Sequence, residues 1–236
     1  MNAITLSLPE FDVLWHEARG GVTPYPLDVP HHGATPAARA ALVAEVRADL
    51  TRRGLVRRGR VEPDLEVALS VLASPERSVT VMGLADVTAG ELVRALVGTR
   101  GAYAVLAVRH EDGVTVDVLH DRTPVTAALG VLPPRGAGPG RRVTVPAAAL
   151  DPGGTPAVVR RVRAGDDDLR ALRGMLAGPI VGTGHVSVGR AAVTWIDTPG
   201  GRYAADGADW VTVAPADGPT LAGRVRALWG EPRSAR

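Results

Sequence analysis

The 236-residue sequence predicts an α+β fold in which helices pack on a central antiparallel β-sheet. Near Ser78 the hydrophobic period changes from about 3.6 residues to two, and short turns containing Gly or Asp separate the alternating runs that follow. The length is also sufficient for one domain made of two packed halves. Because the second half repeats the order helix, strands, helix, the sequence indicates two related lobes that share a sheet.

The first third of the chain is mainly helical. Residues 4–8 alternate as a strand, and Pro9 begins a helix that carries Phe11 and Leu14 at helical spacing. The segment GGVTPYPLDVPHHGATP is rich in Pro and Gly, which predicts an extended surface connection. Thr35 followed by Pro36 predicts the start of a second, amphipathic helix that ends near Gly54. A third helix runs through Leu65, Ala68, Leu69 and Leu72 and ends before Pro75.

An antiparallel meander follows, with four strands predicted at SVTVMGL, ELVRALV, AYAVLAV and VTVDVLH. In the last of these, valines alternate with Thr115 and Asp117, so one face is exposed to water or covered by a partner. Residues 123–132 form a predicted helix, and residues 133–142, PPRGAGPGRR, a flexible loop. RVTVP is a short strand, and PAAALDPGGTP a capped turn or short helix.

The second lobe begins with a helix whose first residues, 166–168, are all aspartate, as suits the positive end of a helix dipole. The helix carries Leu169, Leu172 and Leu176 on one side. Four strands are then predicted around IVGTGHVSVG, AAVTWI, GRYAA and DWVTVAP. A final helix opens at residues 218–219, and its expected buried edge comprises Leu221, Val225, Leu228 and Trp229.

Residues 197–200 read Asp-Thr-Pro-Gly, the D-x-x-G pattern by which many GTPases sense the γ-phosphate. All 27 basic residues are arginine, so the chain has neither the lysine of a phosphate-binding P-loop nor that of the base-reading Asn-Lys-x-Asp element. The absence of lysine therefore excludes a GTPase of this kind. Pro and Gly between two runs of β-forming residues predict a hairpin turn instead.

No other motif carries catalytic, metal or cofactor chemistry. His31 and His32 lack a third ligand at metal spacing, GTGHVSVG lacks the last glycine of a dinucleotide-binding fingerprint, and HEDG at residues 110–113 predicts a hairpin turn. Five arginines within residues 52–60 are predicted at a helix C-terminus, as a solvated end or as a patch for an acidic partner. A nucleic-acid-binding regulator and an unrecognised hydrolase are the rival interpretations.

Composition narrows the remaining classes. A formal charge of +2 and 3% aromatic residues argue against nucleic-acid binding. The absence of cysteine excludes disulfides and thiolate chemistry. The N-terminus has no signal-peptide pattern and no run of 18 apolar residues occurs, so we expect a cytoplasmic protein without membrane insertion.

Several stretches in order resemble the EspG family of type VII (ESX) secretion-associated chaperones. They are ITLSLPEFDVLWHEA, LSVLASPERSVTV, RGAYAVLAVRHEDGVTVDVL, RRVTVPAAAL and WIDTPGGRY followed by DWVTVAPAD. The resemblance implies a single domain over residues 1–236 in a quasi-twofold arrangement, with an N-terminal lobe of about 1–132 and a C-terminal lobe of about 142–232. It also implies a noncatalytic monomer or weak homodimer that binds the helical-hairpin tips of PE/PPE-like substrates. WXG100-like hairpins are the alternative cargo.

A receptor for an apolar hairpin tip needs an apolar groove with a polar rim. Two helices of the second lobe offer such residues, although the same stripes also suit a buried core. The candidate groove residues are Leu172, Met175, Leu221 and Val225, with Arg173 and Arg224 at the rim and with Trp195, Tyr203 and Trp210 on neighbouring strands. If the groove is not there, the sheet beside Asp86 and Val87 is the expected contact surface.

Overall fold

The computed structural model describes residues 3–18, 21–150 and 166–230, and within them the α+β prediction is confirmed. The helices are α1 (Leu8–Ala18), α2 (Pro36–Arg52), α3 (Pro63–Ala73), α4 (Pro124–Leu129), α5 (Asp166–Met175) and α6 (Gly218–Gly230). The strands are β1 (Ile4–Ser7), β2 (Val56–Arg57), β3 (Arg60–Val61), β4 (Arg77–Asp86), β5 (Glu91–Arg100), β6 (Tyr103–Arg109), β7 (Gly113–Val118), β8 (Val143–Pro146), β9 (Gly182–Val188), β10 (Ala191–Thr198), β11 (Gly201–Gly207) and β12 (Trp210–Pro215). Ten of these described strands form an antiparallel sheet in the order β1-β7-β6-β5-β4-β9-β10-β11-β12-β8.

The chain divides into two compact units. The first comprises Met1–Met82 and Val93–Val131, and the second comprises Gly83–Leu92 and Leu132–Arg236. The sequence-based lobes assign the whole β4–β5 hairpin to the N-terminal half, whereas its turn and flanking residues belong here to the second unit. None of the helices in the described parts of the chain has both the length and the hydrophobicity needed to cross a membrane.

In the first unit, α3 packs on the strands β6 and β7, and α1 packs on β7 and on α3. The chain enters α1 through a capping box, in which the amide of Ser7 donates to Glu10 Oε2 at 2.7 Å and the amide of Glu10 donates to Ser7 Oγ at 3.3 Å. Phe11 and Trp15 stack with their ring centroids 5.7 Å apart, and both side chains are buried in the core. The helix predicted from Pro9 thus begins one residue earlier, at Leu8.

The arginine-rich segment begins at a helix C-terminus, as predicted, with Arg52 as the last residue of α2 and Arg53 at its C-cap, but the rest of it is a small β-ribbon that was not predicted. Helix α2 ends at Arg52, and β2 then pairs with β3 across Arg58 and Gly59, whose φ angles are 51° and 76°. Two successive positive φ angles are typical of the two-residue turns that match the twist of a hairpin. Three of the five arginines, Arg57, Arg58 and Arg60, are therefore displayed on this exposed ribbon.

In the second unit, β9 to β12 and the edge strand β8 pair in antiparallel register. The D-x-x-G residues form the predicted hairpin turn, since Thr198 pairs with Gly201 across residues 199–200. Thr198 Oγ1 accepts a hydrogen bond from the amide of Gly200 at 3.2 Å and donates to the carbonyl of Gly201 at 3.1 Å. The hairpin interpretation is confirmed.

Residues 133–142, predicted as a flexible loop, are held against the β10–β11 hairpin. The amide of Arg202 donates to the carbonyl of Gly136 at 2.8 Å, and the amide of Gly138 donates to the carbonyl of Arg202 at 3.0 Å. Glycine is required at residue 138 because a Cβ there would lie 2.3 Å from the Tyr203 ring. The flexible-loop prediction was wrong, because the residues that hold this segment in place, such as Arg202, are distant in the sequence. Of PAAALDPGGTP, Pro146 ends β8, residues 147–150 form a 3-10 turn, and residues 151–156 lie outside the described residues.

Candidate functional site

The candidate groove residues of α5 are part of a core. Leu172 and Met175 are buried in a cluster with Val143, Val145 and Val213, and Tyr203 and Ala205 complete it. Helix α5 packs on the edge strand β8. Because an amphipathic stripe beside an apolar sheet face is stabilised by burial, these two side chains face the sheet and not the solvent.

The candidate groove residues of α6, Leu221 and Val225, are fully buried as well. Helix α6 packs on β9 and β10, and its Arg224 reaches Asp206, the neighbour of Ala205 on β11. Successive residues of a strand point to opposite faces, so α5 covers the face of Ala205 and α6 the other face. The single groove predicted between these two helices is therefore not formed.

Of the three candidate aromatic residues, two are buried. Trp195 is fully buried, and its Nε1 has no hydrogen-bond partner within the described residues. Tyr203 donates its hydroxyl hydrogen to the carbonyl of Pro139 at 3.0 Å, and burial raises the pKa of this phenol. Trp210 is 42% exposed at the start of β12, where it pairs with Pro146 of β8. Only Trp210 among the three is thus available at the surface.

The two candidate rim arginines differ. Arg224 NH1 donates to Asp206 Oδ1 at 2.8 Å and to the carbonyl of Ala204 at 3.4 Å. This pairing fixes α6 on its sheet. Arg173 is exposed in the last turn of α5, where a cation offsets the helix dipole.

The β4–β5 turn carries the exposed candidates. Asp86 Oδ1 accepts hydrogen bonds from the amides of Thr88 at 2.8 Å and Ala89 at 3.0 Å, so the carboxylate fixes the turn. The amide of Val87 donates to the carbonyl of Val181 at 2.9 Å, which holds the turn against the residues that lead into β9. Its conformation is therefore set before any partner arrives.

Three apolar side chains at or beside this turn are exposed to solvent. Val87 is 40% exposed, Leu92 48% and Ile180 45%, and we call these three residues the turn patch. Sequence analysis selected Asp86 and Val87 but missed Leu92 and Ile180. Leu92 carries a usable signal, because in ELVRALV it alternates with the buried Val93 and Ala95 and so lies on the other face. Ile180 follows Gly178 and Pro179 outside any periodic run, and nothing in its context marks it.

The adjacent residues His31 and His32 both contact the carboxylate of Asp12. Asp12 Oδ1 lies 3.2 Å from His31 Nδ1, and Asp12 Oδ2 accepts a hydrogen bond from the amide of His32 at 2.9 Å. The carboxylate also pairs with the guanidinium of Arg39. These contacts fasten the connection between α1 and α2. In the portion of the chain that the structure describes, no group of three or more His, Cys, Asp or Glu side chains has an arrangement suited to a metal ion.

The HEDG segment is the turn that was predicted between β6 and β7. The amide of His110 donates to the carbonyl of Gly113 at 2.8 Å, and His110 Nε2 lies 3.0 Å from Thr115 Oγ1. The imidazole thus contacts a threonine of the next strand, and neither of these two hydrogen bonds involves a carboxylate. The geometry favours a hairpin over a proton-transfer pair.

Comparison with known proteins agrees with this architecture. The fold matches the structure of the Mycobacterium tuberculosis type VII secretion system chaperone EspG5 in complex with a PE25-PPE41 dimer, with a TM-score of 0.67 at 15% identity over 100% of this chain and 98% of that one. No curated protein sequence matches the chain. The model of the EspG family matches residues 7–227. That match spans nearly the whole sequence, and the chain therefore belongs to the EspG family.

Proposed function

We propose that this chain is a noncatalytic cytoplasmic chaperone that binds helical-hairpin substrates of a type VII secretion system and keeps them soluble until export. The observation that carries the proposal is the family match over residues 7–227. The chaperone EspG5, which was solved with a PE25-PPE41 dimer, supports PE/PPE-like proteins as the cargo class. A monomer or weak homodimer is the expected free state.

The turn patch is the contact surface we assign to the cargo. The tip of a helical hairpin exposes a few apolar side chains, so its receptor needs exposed apolar side chains on a rigid element. Val87, Leu92 and Ile180 meet the first requirement. The hydrogen bonds that Asp86 accepts within the turn meet the second, because they remove the entropy cost of ordering it on binding.

Charge argues against the rival nucleic-acid regulator. Of the five arginines within residues 52–60, Arg52 is paired with Asp49, and Arg53 NH1 lies 2.7 Å from Glu10 Oε1. The three remaining arginines form a small cationic surface on the β2–β3 ribbon. Affinity for a nucleic acid falls steeply as the salt concentration rises, because phosphate contacts release bound counterions. Affinity for an apolar hairpin tip does not depend on salt in this way.

Co-expression tests the proposal. The chain is produced with helical-hairpin proteins encoded beside type VII secretion ATPases in the same genome, one series PE/PPE-like and one WXG100-like. We expect a complex with the PE/PPE-like pair that survives size-exclusion chromatography and changes little between 0.1 and 0.5 M NaCl. Binding of the WXG100-like pair alone would reassign the cargo, and binding of neither class would overturn the chaperone role.

A further inference from the structure

Arg94 of β5 and Arg109 of β6 occupy directly opposite positions in the first unit. Side chains opposed in this way lie on one face of the sheet with their Cβ atoms about 4.5–5.5 Å apart, and like charges there are destabilising. The same face continues with Leu96 and Ala107, which are buried in the core. Two arginine side chains therefore lie side by side at the margin of an apolar core.

Elsewhere this protein pairs such arginines with aspartate. The buried or half-buried arginines of the described residues are Arg39, Arg94, Arg109, Arg135, Arg202 and Arg224. Four of these six contact a carboxylate within 4 Å: Arg39 contacts Asp12, Arg135 and Arg202 contact Asp197, and Arg224 contacts Asp206. The two without such a contact are the two that face each other.

Compensation from the surroundings is weak. Arg109 NH1 donates to the carbonyl of Glu111 at 2.9 Å, and the Nε atoms of both arginines are buried without a partner in the described residues. Burial and then the charge of Arg94 lower the pKa of Arg109, while Asp112 acts in the opposite direction from beyond ion-pair distance. Burial thus disfavours two adjacent charges, and no carboxylate of the described residues lies within ion-pair distance of either arginine.

We propose that Arg94 and Arg109 together bind one oxyanion, a carboxylate or phosphate group, on this face of the sheet. The planar guanidinium matches both kinds of anion because its parallel N–H groups meet two oxygens at once. The Nε atoms are covered, but both arginine side chains are only half-buried, so an anion reaches the pair from solvent. The negative charge of the bound anion then offsets the repulsion between the two guanidinium groups.

Thermal melting of the full chain tests this site with inorganic phosphate as the probe, against sodium chloride at matched ionic strength. For the wild type we expect phosphate to raise the melting temperature by about 2–4 °C. This is the shift expected for a chain of this length when the phosphate concentration is a few times the Kd and only the folded state binds it. Arg94→Gln should melt in chloride at the wild-type temperature or above, because it relieves repulsion, and should lose the response to phosphate. Arg100→Gln, an exposed arginine of the same strand, is the matched control and should keep that response.

A series in acetate distinguishes the two sources of the anion. A response to acetate and phosphate identifies carboxylate chemistry, such as a partner's acidic side chain, whereas a response to phosphate alone identifies a phosphate ligand. The proposal is overturned if the wild type melts equally in all three salts, if Arg94→Gln retains the response, or if Arg94→Gln melts several degrees lower in chloride. The last result would make the pair a structural element of the sheet.

Discussion

Asp197 and Arg202 form a bidentate ion pair in the interior of the second unit, with Nε to Oδ1 at 2.7 Å and NH2 to Oδ2 at 2.8 Å. The two residues lie opposite each other where β10 and β11 meet their turn, and their exposures are 0% and 3%. Arg202 NH2 also donates to the carbonyl of Pro133 at 3.0 Å. The aspartate of the D-x-x-G pattern thus orients Arg202, and Arg202 links the hairpin to residues 133–138.

Asp197→Ala should lower the free energy of unfolding by about 3–5 kcal/mol, because it leaves the Arg202 guanidinium buried without its counter-ion. If Asp197 stabilised the protein only through the hairpin turn, the substitution would lower the free energy of unfolding only modestly. Urea denaturation measures the difference. The double variant Asp197→Leu with Arg202→Met should recover most of the stability, since an apolar pair of similar volume removes the uncompensated charge. A single-variant loss below about 1 kcal/mol would contradict this account.

Asp12 gives a pH-dependent prediction. Burial alone would raise the pKa of Asp12, but the hydrogen bond from the His32 amide and the Arg39 guanidinium outweigh it, so that pKa lies below 3.8. A lowered folded-state pKa contributes stability above the unfolded value, which is lost as the pH falls through the folded value. Asp12→Ala should therefore be less stable than wild type at pH 7, and the difference should shrink below pH 3.8. Urea titrations at a series of pH values check this, and a difference independent of pH would count against it.

Gly138 provides a steric test of the segment at residues 133–142. A Cβ at Gly138 would meet the Tyr203 ring at 2.3–2.7 Å, whereas a Cβ at Gly136 would meet nothing within 4 Å. Gly138→Ala should cost about 1–3 kcal/mol, the usual penalty of overpacking. Gly136→Ala is the matched control and should leave the midpoint of urea unfolding nearly unchanged. Equal effects of the two substitutions would show that this segment is not held against the Tyr203 ring.

Local signals in the sequence were enough to predict most elements of the fold. The change of hydrophobic period at Ser78, the Thr35-Pro36 helix start and the Pro199-Gly200 turn each act within a few residues, and the structure confirms all three. The β2–β3 ribbon was missed because two-residue strands have no period and Arg58 adopts a positive φ angle that its residue type does not favour. Such a ribbon is set by its turn geometry.

The candidate site was less predictable for a physical reason. An amphipathic stripe such as Leu221 and Val225 looks the same in sequence whether it faces a core or an open groove, because both need apolar side chains at helical spacing. Which occurs depends on the sheet that the helix covers. In the same way, the fixed position of residues 133–138 depends on Asp197 and Arg202, more than 50 residues further along the chain.

Met175→Asp and Leu221→Asp should unfold the protein and not act on partner binding alone, because both side chains are buried. The milder Leu221→Ala should cost about 2–5 kcal/mol through lost transfer energy and a residual cavity. Circular dichroism melts measure all three. Retention of the wild-type melting temperature by either aspartate variant would return these residues to the list of surface candidates.

The turn patch should be the surface where substitutions remove cargo binding and spare the fold. Val87→Asp and Ile180→Asp each place a charge on a side chain that is 40–45% exposed, so the cost to folding should stay within about 0.5 kcal/mol. At the same position a buried apolar contact with a hairpin tip would become an unpaired buried carboxylate, which costs several kcal/mol of binding. We therefore expect at least a tenfold loss of affinity for the helical-hairpin substrate in calorimetry or a pull-down series.

Tyr103→Asp is the matched control for the turn patch, since Tyr103 is a 52% exposed apolar side chain of the first unit. It should melt like the wild type and bind the substrate with unchanged affinity. Trp210→Asp asks separately whether the exposed ring on β12 contributes. If Val87→Asp and Ile180→Asp both keep the wild-type melting temperature and the wild-type affinity, the cargo does not dock at the β4–β5 turn. Loss of affinity in Trp210→Asp alone would then move the contact surface to the β8–β12 edge, where Trp210 is paired with Pro146 across the two strands.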